Sequence, residues 1–316
     1  MGRVTDNFIK HIESYGFKAR IVSIEHIKEI QSDMENTRRI HRDIDNYIGK
    51  YIDKFNYGIW ENSLKAKSII IIAIPQPIVR IHFTFGMKRC AAIMPPMYLL
   101  NTSNELEKKQ KKIIEVTSII EKILSNENFK AIKTNLPCKL LAARSGLGVY
   151  GRNNICYIDN ESSFYWIGVY MSDMPCKDDS WQKNSIMNAC RNCSLCLKNC
   201  PRGAIADDRF IIHANKCITL YNECEGDFPK WMDSNCHNSI IGCMKCQMIC
   251  PVNKNYIRNI EDLAEFDNDE TKMILVKTPL SELPETTYKK LKSINFIEDY
   301  NLLARNLKAL ISSRLL

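Results

Sequence analysis

Ten of the fourteen cysteines in this 316-residue chain lie between positions 190 and 250. Most of them fall into two runs that each end in Cys-Pro, namely Cys190-x2-Cys193-x2-Cys196-x3-Cys200-Pro201 and Cys243-x2-Cys246-x3-Cys250-Pro251. The first run has the spacing of bacterial ferredoxins, in which three close cysteines bind one [4Fe–4S] cluster and the cysteine before proline binds a second one. The spacing therefore predicts two [4Fe–4S] clusters and a chemistry of single-electron transfer.

The ferredoxin rule also divides the ligands between the two clusters. The first cluster takes Cys190, Cys193, Cys196 and Cys250, and the second takes Cys200, Cys217, Cys243 and Cys246. Cys217 enters because the second run lacks a third close cysteine. Two alternatives stay open: Cys224 or Cys236 replaces Cys217, or the cysteines form a pair of zinc sites, which typically use paired C-x2-C knuckles.

Composition limits the classes of protein to which the chain can belong. The formal net charge is +8, but two thiolate-bound clusters would remove roughly four positive charges, so the charge is weak evidence for a nucleic-acid partner. The longest apolar run, Ser68–Pro75, is too short to span a bilayer, and the first residues lack a signal-peptide pattern. Clustered thiols are typical of a reducing compartment. We therefore expect a cytoplasmic protein without a membrane segment.

Hydrophobic patterning predicts an α+β fold. Helices are expected over 5–65, 103–124 and 281–316, strands over 69–74, 79–85, 129–134, 154–158 and 164–171, short helices and loops over 174–255, and an acidic linker over 261–270. The predicted domains are an α/β domain at 1–173, a ferredoxin-like two-cluster domain at 174–258, and the linker with a helical tail at 259–316.

A glycine-rich segment, Ser145–Gly151, contains the pattern G-x-G-x-x-G. This pattern binds a dinucleotide only when it follows a strand and opens a helix. Here the order is reversed, since 138–144 is expected to be a helix and 154–158 a strand. The glycines therefore indicate a tight turn or a close backbone approach to a flat or bulky group rather than a site for NAD.

Several segments together resemble the epoxyqueuosine reductases, a family related to the reductive dehalogenases. Ala143–Asn153 is similar to that family's R-x-G-L-G-W-x-G-K-N segment, and both cysteine runs occur in the family's order. The isolated Cys217-Ile218, the G-C-x2-C-Q-x2-C-P run at 242–251 and the Arg305-Asn306-Leu307 tail also match. The resemblance covers roughly residues 65–255 and identifies the chain as a divergent member.

This resemblance implies a corrinoid-dependent reductase. In such proteins an N-terminal α/β domain of the corrinoid-binding type holds cobalamin, and a ferredoxin-like domain with two [4Fe–4S] clusters passes electrons to it from an external donor of the flavodoxin or ferredoxin type. The resemblance leaves the substrate unknown, with tRNA among the candidates. It also assigns the lining of the corrinoid to Arg144, Gly146, Gly148, Gly151, Arg152 and Asn153.

Two departures from the family separate this chain from a typical member. The family carries an aspartate before the glycine loop that is thought to protonate the departing oxygen, whereas 128–158 contains no Asp or Glu and Asn135 has no acidic proton. Tyr150, Tyr157 or Cys138 are candidates to replace it, and the catalytic residue stays unknown. The family's R-Y-A-x-G-x-D-Y-H segment is also replaced at 83–98.

The missing acid leaves three functional hypotheses. The first is a reductase of this type whose substrate is open and need not be tRNA. The second is an electron-transfer or reductive-activation protein that holds no corrinoid and docks a partner. The third is a tRNA-binding module, whose affinity would fall steeply with salt.

Overall fold

A computed structural model describes residues 2–41, 49, 52–58, 65–95, 98 and 107–315. Contacts divide the chain into two compact units. The first unit consists of Met1–Gln76, Ile114–Ser194 and Ile205–Asn215, and the second of Pro77–Ile113, Leu195–Ala204 and Lys216–Leu316. The predicted domain boundaries at 173 and 258 are a different division and stay a prediction.

Helices and strands alternate irregularly along the described residues. The helices are α1 (Gly2–Ser14), α2 (Ile27–Ile40), α3 (Glu107–Asn126), α4 (Cys138–Arg144), α5 (Leu195–Lys198), α6 (Ile218–Glu223), α7 (Lys245–Met248), α8 (Asn268–Leu275), α9 (Glu285–Ser293) and α10 (Tyr300–Leu315). The strands are β1 (Lys18–Ser23), β2 (Ser68–Pro75), β3 (Ile78–Phe85), β4 (Lys88–Met94), β5 (Ala131–Lys133), β6 (Gly148–Tyr150), β7 (Cys156–Ile158), β8 (Tyr165–Ser172) and β9 (Ile260–Phe266). The predicted α+β class is confirmed. Within the described ranges, no helix combines the length and apolar character needed to cross a bilayer.

The first unit contains a four-stranded antiparallel sheet in the order β1-β2-β8-β5. Strand β2 lies between two neighbours, and every residue from Ser68 to Ile74 is buried. This central position explains the unbroken apolar run, because a strand covered on both faces needs apolar side chains at every position. The prediction of a buried strand at 69–74 is confirmed.

The prediction of a mainly helical segment over 5–65 is wrong at β1. Lys18–Ser23 pairs with β2 along its length, and Ala19, Ile21 and Val22 are buried. Tertiary pairing overrides the helical spacing that the flanking isoleucines indicated. The start predicted for the long helix, near residue 103, lies outside the described residues.

The second unit contains a three-stranded sheet in the order β4-β3-β9. Strands β3 and β4 are antiparallel, and β9 lies parallel to β3. The prediction of an acidic linker over 261–270 is therefore wrong. Its first residues form β9, which takes a charged edge position, and Asp267 and Glu270 form a reciprocal capping box that begins α8.

The core of the second unit joins the inner face of this sheet to the three C-terminal helices. Phe83 and Phe266 stack with ring centroids 5.0 Å apart, and both rings are buried. Leu303, Leu307 and Leu310 of α10 are fully buried in the same cluster. Their spacing of three and four residues places them on one face of the helix. This face packs α10 into the core of the second unit, which carries most of the cysteines.

Candidate metal centre

The glycine-rich segment of the first unit joins a helix to a β-hairpin. Helix α4 ends at Arg144, and the main-chain N–H of Gly146 donates to the Ala143 carbonyl at 3.3 Å with φ +74°. This left-handed conformation favours glycine after a helix end. The hairpin of β6 and β7 follows. The expected order of helix, glycine loop and strand is confirmed, and it is the reverse of a dinucleotide-binding loop.

Two of the glycines are required by the packing of this hairpin. A Cβ atom at Gly148 would lie 2.7 Å from the Cys156 sulfur and 2.9 Å from the Tyr157 carbonyl oxygen. A Cβ at Gly151 would lie 2.6 Å from the ring of Tyr157. The flat group that approaches the glycine backbone is thus a side chain of this chain, the buried ring of Tyr157.

Arg144 and Asn153, both assigned to the corrinoid by resemblance, use their side chains within the first unit. Arg144 forms an ion pair with Glu29 and lies over the Trp181 ring at 4.8 Å, and its side chain is 11% exposed. Asn153 is buried and donates through Nδ2 to the Tyr157 hydroxyl at 3.1 Å. Arg144 therefore holds the end of α4 against Glu29 and Trp181, and Asn153 stabilises the hairpin that follows the glycine loop.

Arg152 connects the glycine loop to the first cysteine run. Its Nη2 donates to the carbonyl of Cys190 at 2.9 Å, and its Nε donates to the carbonyl of Cys193 at 3.2 Å. Its Nη1 forms an ion pair with Asp207, whose side chain is 68% exposed. One guanidinium thus holds two carbonyls of the loop that presents the first two predicted ligands.

Asn135 and two of the candidates for the missing acid are hydrogen-bonded or deeply buried. Asn135 donates to the Lys54 carbonyl at 2.9 Å, and its own carbonyl accepts from the N–H of Asn56. Burial raises the pKa of the Tyr150 hydroxyl and of the Cys138 thiol. Raised pKa values make both groups weaker acids at neutral pH, so neither is prepared to donate a proton in this arrangement.

Three of the four cysteines predicted for the second cluster lie close together in the second unit. Burial raises the pKa of Cys217 and raises that of Cys243 to about 12, and the charge of Cys200 adds to both increases. Buried thiolates that repel one another need a compensating cation. Iron supplies that charge in a thiolate-bound cluster.

Main-chain N–H groups donate to two of these sulfurs. The N–H of Ala204 donates to the Cys200 sulfur at 3.2 Å. Cys217 occupies the N-cap position of α6, where its side chain makes no capping hydrogen bond, and Cys243 accepts from the N–H of Lys245. Hydrogen bonds to cysteine sulfur stabilise the thiolate and are a determinant of cluster potential. The donor set and its hydrogen bonds therefore fit an iron–sulfur cluster.

A buried amide network holds the segment before Cys243. Asn306 of α10 is fully buried and donates to the carbonyls of Asn222 and Ile240, each at 2.9 Å. Asn222, also fully buried, donates to the carbonyl of Gly242 at 2.7 Å. Arg305 adds bonds to the carbonyls of Tyr221 and Cys224, each at 2.7 Å.

Sequence reasoning noted the tail segment but missed this positioning role. The signal was present, because Asn306 is a polar residue between buried leucines on the apolar face of an amphipathic helix. Such a residue requires hydrogen-bond partners in the core.

The remaining cysteines differ in their surroundings. Cys246, Cys250 and Cys196 are half-buried. Cys224 is exposed, whereas Cys236 is buried in a small cluster with Ile218 and Met232.

The four ligands assigned to the first cluster are divided between the two units, so that set stays a prediction. Among the residues that the structure describes, no three His, Cys, Asp or Glu side chains converge on a site for a single metal ion.

Residues 189–253 match the model of the 4Fe-4S double cluster binding domain. This match covers both cysteine runs, and it favours two [4Fe–4S] clusters over the zinc alternative. Curated relatives extend the similarity beyond the cysteines. A 181-residue segment is 31% identical to the epoxyqueuosine reductase of Francisella cf. novicida, covering 55% of this chain and 47% of the relative.

The chain is similar to the epoxyqueuosine reductases. A 130-residue segment is also 32% identical to the Escherichia coli enzyme and covers 33% of it. The matched segments thus span less than half the length of these curated relatives.

Solved epoxyqueuosine reductases share the fold. The structure from Streptococcus thermophilus aligns with 98% of this chain and 81% of its own, with a TM-score of 0.66 and 20% identity. The structure from Bacillus subtilis aligns with a TM-score of 0.69 and 17% identity, covering 98% of this chain and 82% of its own. The family resemblance and the mixed helix and sheet architecture are confirmed.

Proposed function

We propose that this protein is an iron–sulfur oxidoreductase of the epoxyqueuosine reductase type, in which two [4Fe–4S] clusters carry single electrons to a reaction centre. The observation that carries the proposal is the charge interaction among Cys200, Cys217 and Cys243, with the N–H of Ala204 donating to the Cys200 sulfur. The double-cluster match and the relatives support the same chemistry. Clustered reduced thiols favour a cytoplasmic location.

Cys217 is our proposed fourth ligand of the second cluster. It lies close enough to Cys200 and Cys243 for their charges to interact, and it occupies the N-cap position of the helix that follows. Cys224 is exposed and Cys236 packs with apolar side chains, which supports neither as the replacement. Cys246 completes the proposed set, and Cys190, Cys193, Cys196 and Cys250 form the set proposed for the first cluster.

Fewer observations support cobalamin as the electron acceptor than support the two clusters. The side chains of Arg144, Arg152 and Asn153 are used within the fold, and Tyr157 and Cys156 pack on the glycines assigned to the corrinoid. Their assignment to a corrinoid therefore rests on sequence resemblance. These internal contacts, together with the missing acid, favour the second candidate, a corrinoid-independent electron-transfer or reductive-activation protein.

The substrate class is proposed from a relative. One solved epoxyqueuosine reductase structure, 16% identical to this chain, holds an epoxyqueuosine-modified tRNA-Tyr stem loop. We propose tRNA as the first substrate to test. A one-electron carrier of the flavodoxin or ferredoxin type would supply the electrons, because each cluster accepts one at a time.

Anaerobic reconstitution with iron and sulfide, followed by titration with cobalamin, tests these proposals in sequence. The iron–sulfur proposal expects two clusters per chain in iron and sulfide analysis, with the matching electron paramagnetic resonance signals after reduction. A protein that retains zinc and no sulfide contradicts it. Saturable changes in the cobalamin spectrum support the corrinoid acceptor, and an unchanged spectrum selects the corrinoid-independent candidate.

A further inference from the structure

The glycine loop and the first cysteine run are joined by one side chain whose role differs from the one expected by resemblance. Arg152 was assigned to a corrinoid, yet all three of its nitrogens are used within the first unit. Two of them donate to the main-chain carbonyls of Cys190 and Cys193, and the sulfurs of these two cysteines are predicted cluster ligands. The third binds Asp207. These contacts connect the guanidinium with the ligand loop.

The residue type matters at this position. A guanidinium presents its donors in a rigid planar fork, so it can hold two separate carbonyls and a carboxylate together. An ammonium group is a flexible point charge and does not fix such a geometry.

We propose that Arg152 positions the first ligand loop and raises the reduction potential of the cluster that Cys190 and Cys193 hold. This inference rests on the proposed function, since it requires that the cluster be present. A positive charge next to the ligand carbonyls stabilises the additional negative charge of the reduced cluster, so reduction becomes easier. The carboxylate of Asp207 opposes part of this effect, because it carries the opposite sign.

Four substitutions separate the electrostatic role from a purely structural one. Arg152→Gln removes the charge, and Asp207→Asn removes the opposing charge while leaving Arg152 in place. Arg152→Lys keeps the charge but loses the planar fork. Lys139→Gln is the matched control, because Lys139 donates to the carbonyl of Asn154, outside the ligand loop.

The measurement is a potentiometric titration with dithionite and mediators, followed by electron paramagnetic resonance on anaerobically reconstituted protein. We expect one of the two midpoint potentials to become more negative in Arg152→Gln and more positive in Asp207→Asn. For Arg152→Lys we expect a potential near that of the wild type. Its cluster should be lost to a chelator about tenfold faster, as for other changes in groups that orient metal ligands. Lys139→Gln should change neither property.

Several outcomes would overturn the inference. One is a midpoint potential that is unchanged in both Arg152→Gln and Asp207→Asn. Another is a shift of the same sign in both variants, because a general disturbance of the loop would produce such a shift. If Arg152→Gln binds no iron, the midpoint potential of Asp207→Asn alone tests the inference. A more positive potential supports it, and an unchanged or more negative potential contradicts it. A wild-type protein that assembles no cluster contradicts the proposed function instead, and the two failures are therefore distinct.

Discussion

The loop that carries Cys190 and Cys193 is held by a charge, whereas the segment that leads to Cys243 is held by neutral amides. Arg152 is partly accessible, and its partner Asp207 is mostly exposed. Asn306 and Asn222 are fully buried. The first arrangement places a charge where it acts on the electrons of a cluster. The second fixes the backbone at 240–242 through neutral donors, while the charge of Arg305 is directed at the carbonyls of Tyr221 and Cys224. Its buried amides must all remain paired.

Removing a ligand is the largest change that tests this comparison. Cys217→Ser should abolish the second cluster and lower the iron content by about half, because the first cluster keeps its own four ligands. Cys236→Ser is the matched control and should keep both clusters. Iron and sulfide analysis with electron paramagnetic resonance measures the result. A normal iron content in Cys217→Ser together with a loss in Cys236→Ser would transfer the ligand role to Cys236.

Breaking the amide network should have the next largest effect. Asn306→Ala leaves the carbonyls of Asn222 and Ile240 without their donor in the core, and we expect the free energy of unfolding to fall by about 3 kcal/mol. Asn301→Ala, at an exposed position of the same helix, should change it little. Denaturant unfolding measures the difference, and hydrogen exchange should show faster exchange at 240–243. Equal stabilities of the two variants would contradict the proposed network.

A glycine substitution tests whether the glycine loop is shaped by its own packing. Gly148→Ala introduces a Cβ against the Cys156 sulfur and a backbone carbonyl, so we expect a loss of about 2 kcal/mol in the free energy of unfolding. Gly58→Ala is the control, because open space surrounds that position. Thermal or denaturant unfolding measures both. Full stability of Gly148→Ala combined with lost cobalamin binding would show that the glycine serves a ligand instead.

Salt should produce the smallest effect and should separate the two regions directly. Raising the ionic strength from about 0.01 M to about 1 M shortens the Debye length from about 30 Å to about 3 Å. The exposed pair of Arg152 and Asp207 should weaken by less than about 1 kcal/mol. Hydrogen exchange at 190–193 should therefore accelerate, while exchange at 240–243 stays constant. The reverse pattern would show that the charge does not hold the first loop.

The elements that were predicted correctly have signals within a short stretch of sequence. Strand β2 is a continuous run of isoleucine, and the cysteine spacing is set by the shape of a cluster. Strand β9 was not predicted because its charged residues, which suit an edge position, lack the apolar pattern of a strand. Its partner β3 also lies about 180 residues earlier in the chain. The partners of Arg152 were equally inaccessible, since Asp207 is 55 residues away.

The amide of Asn306 also constrains the order of events during synthesis. Its two acceptors precede it by 84 and 66 residues, so both carbonyls leave the ribosome well before their donor exists. A nascent chain that ends before α10 holds its cysteines in a segment without this support. We therefore expect stable iron uptake only after α10 has emerged, which radiolabelled iron can detect on arrested chains of increasing length. Uptake by chains that stop before Tyr300 would contradict this order.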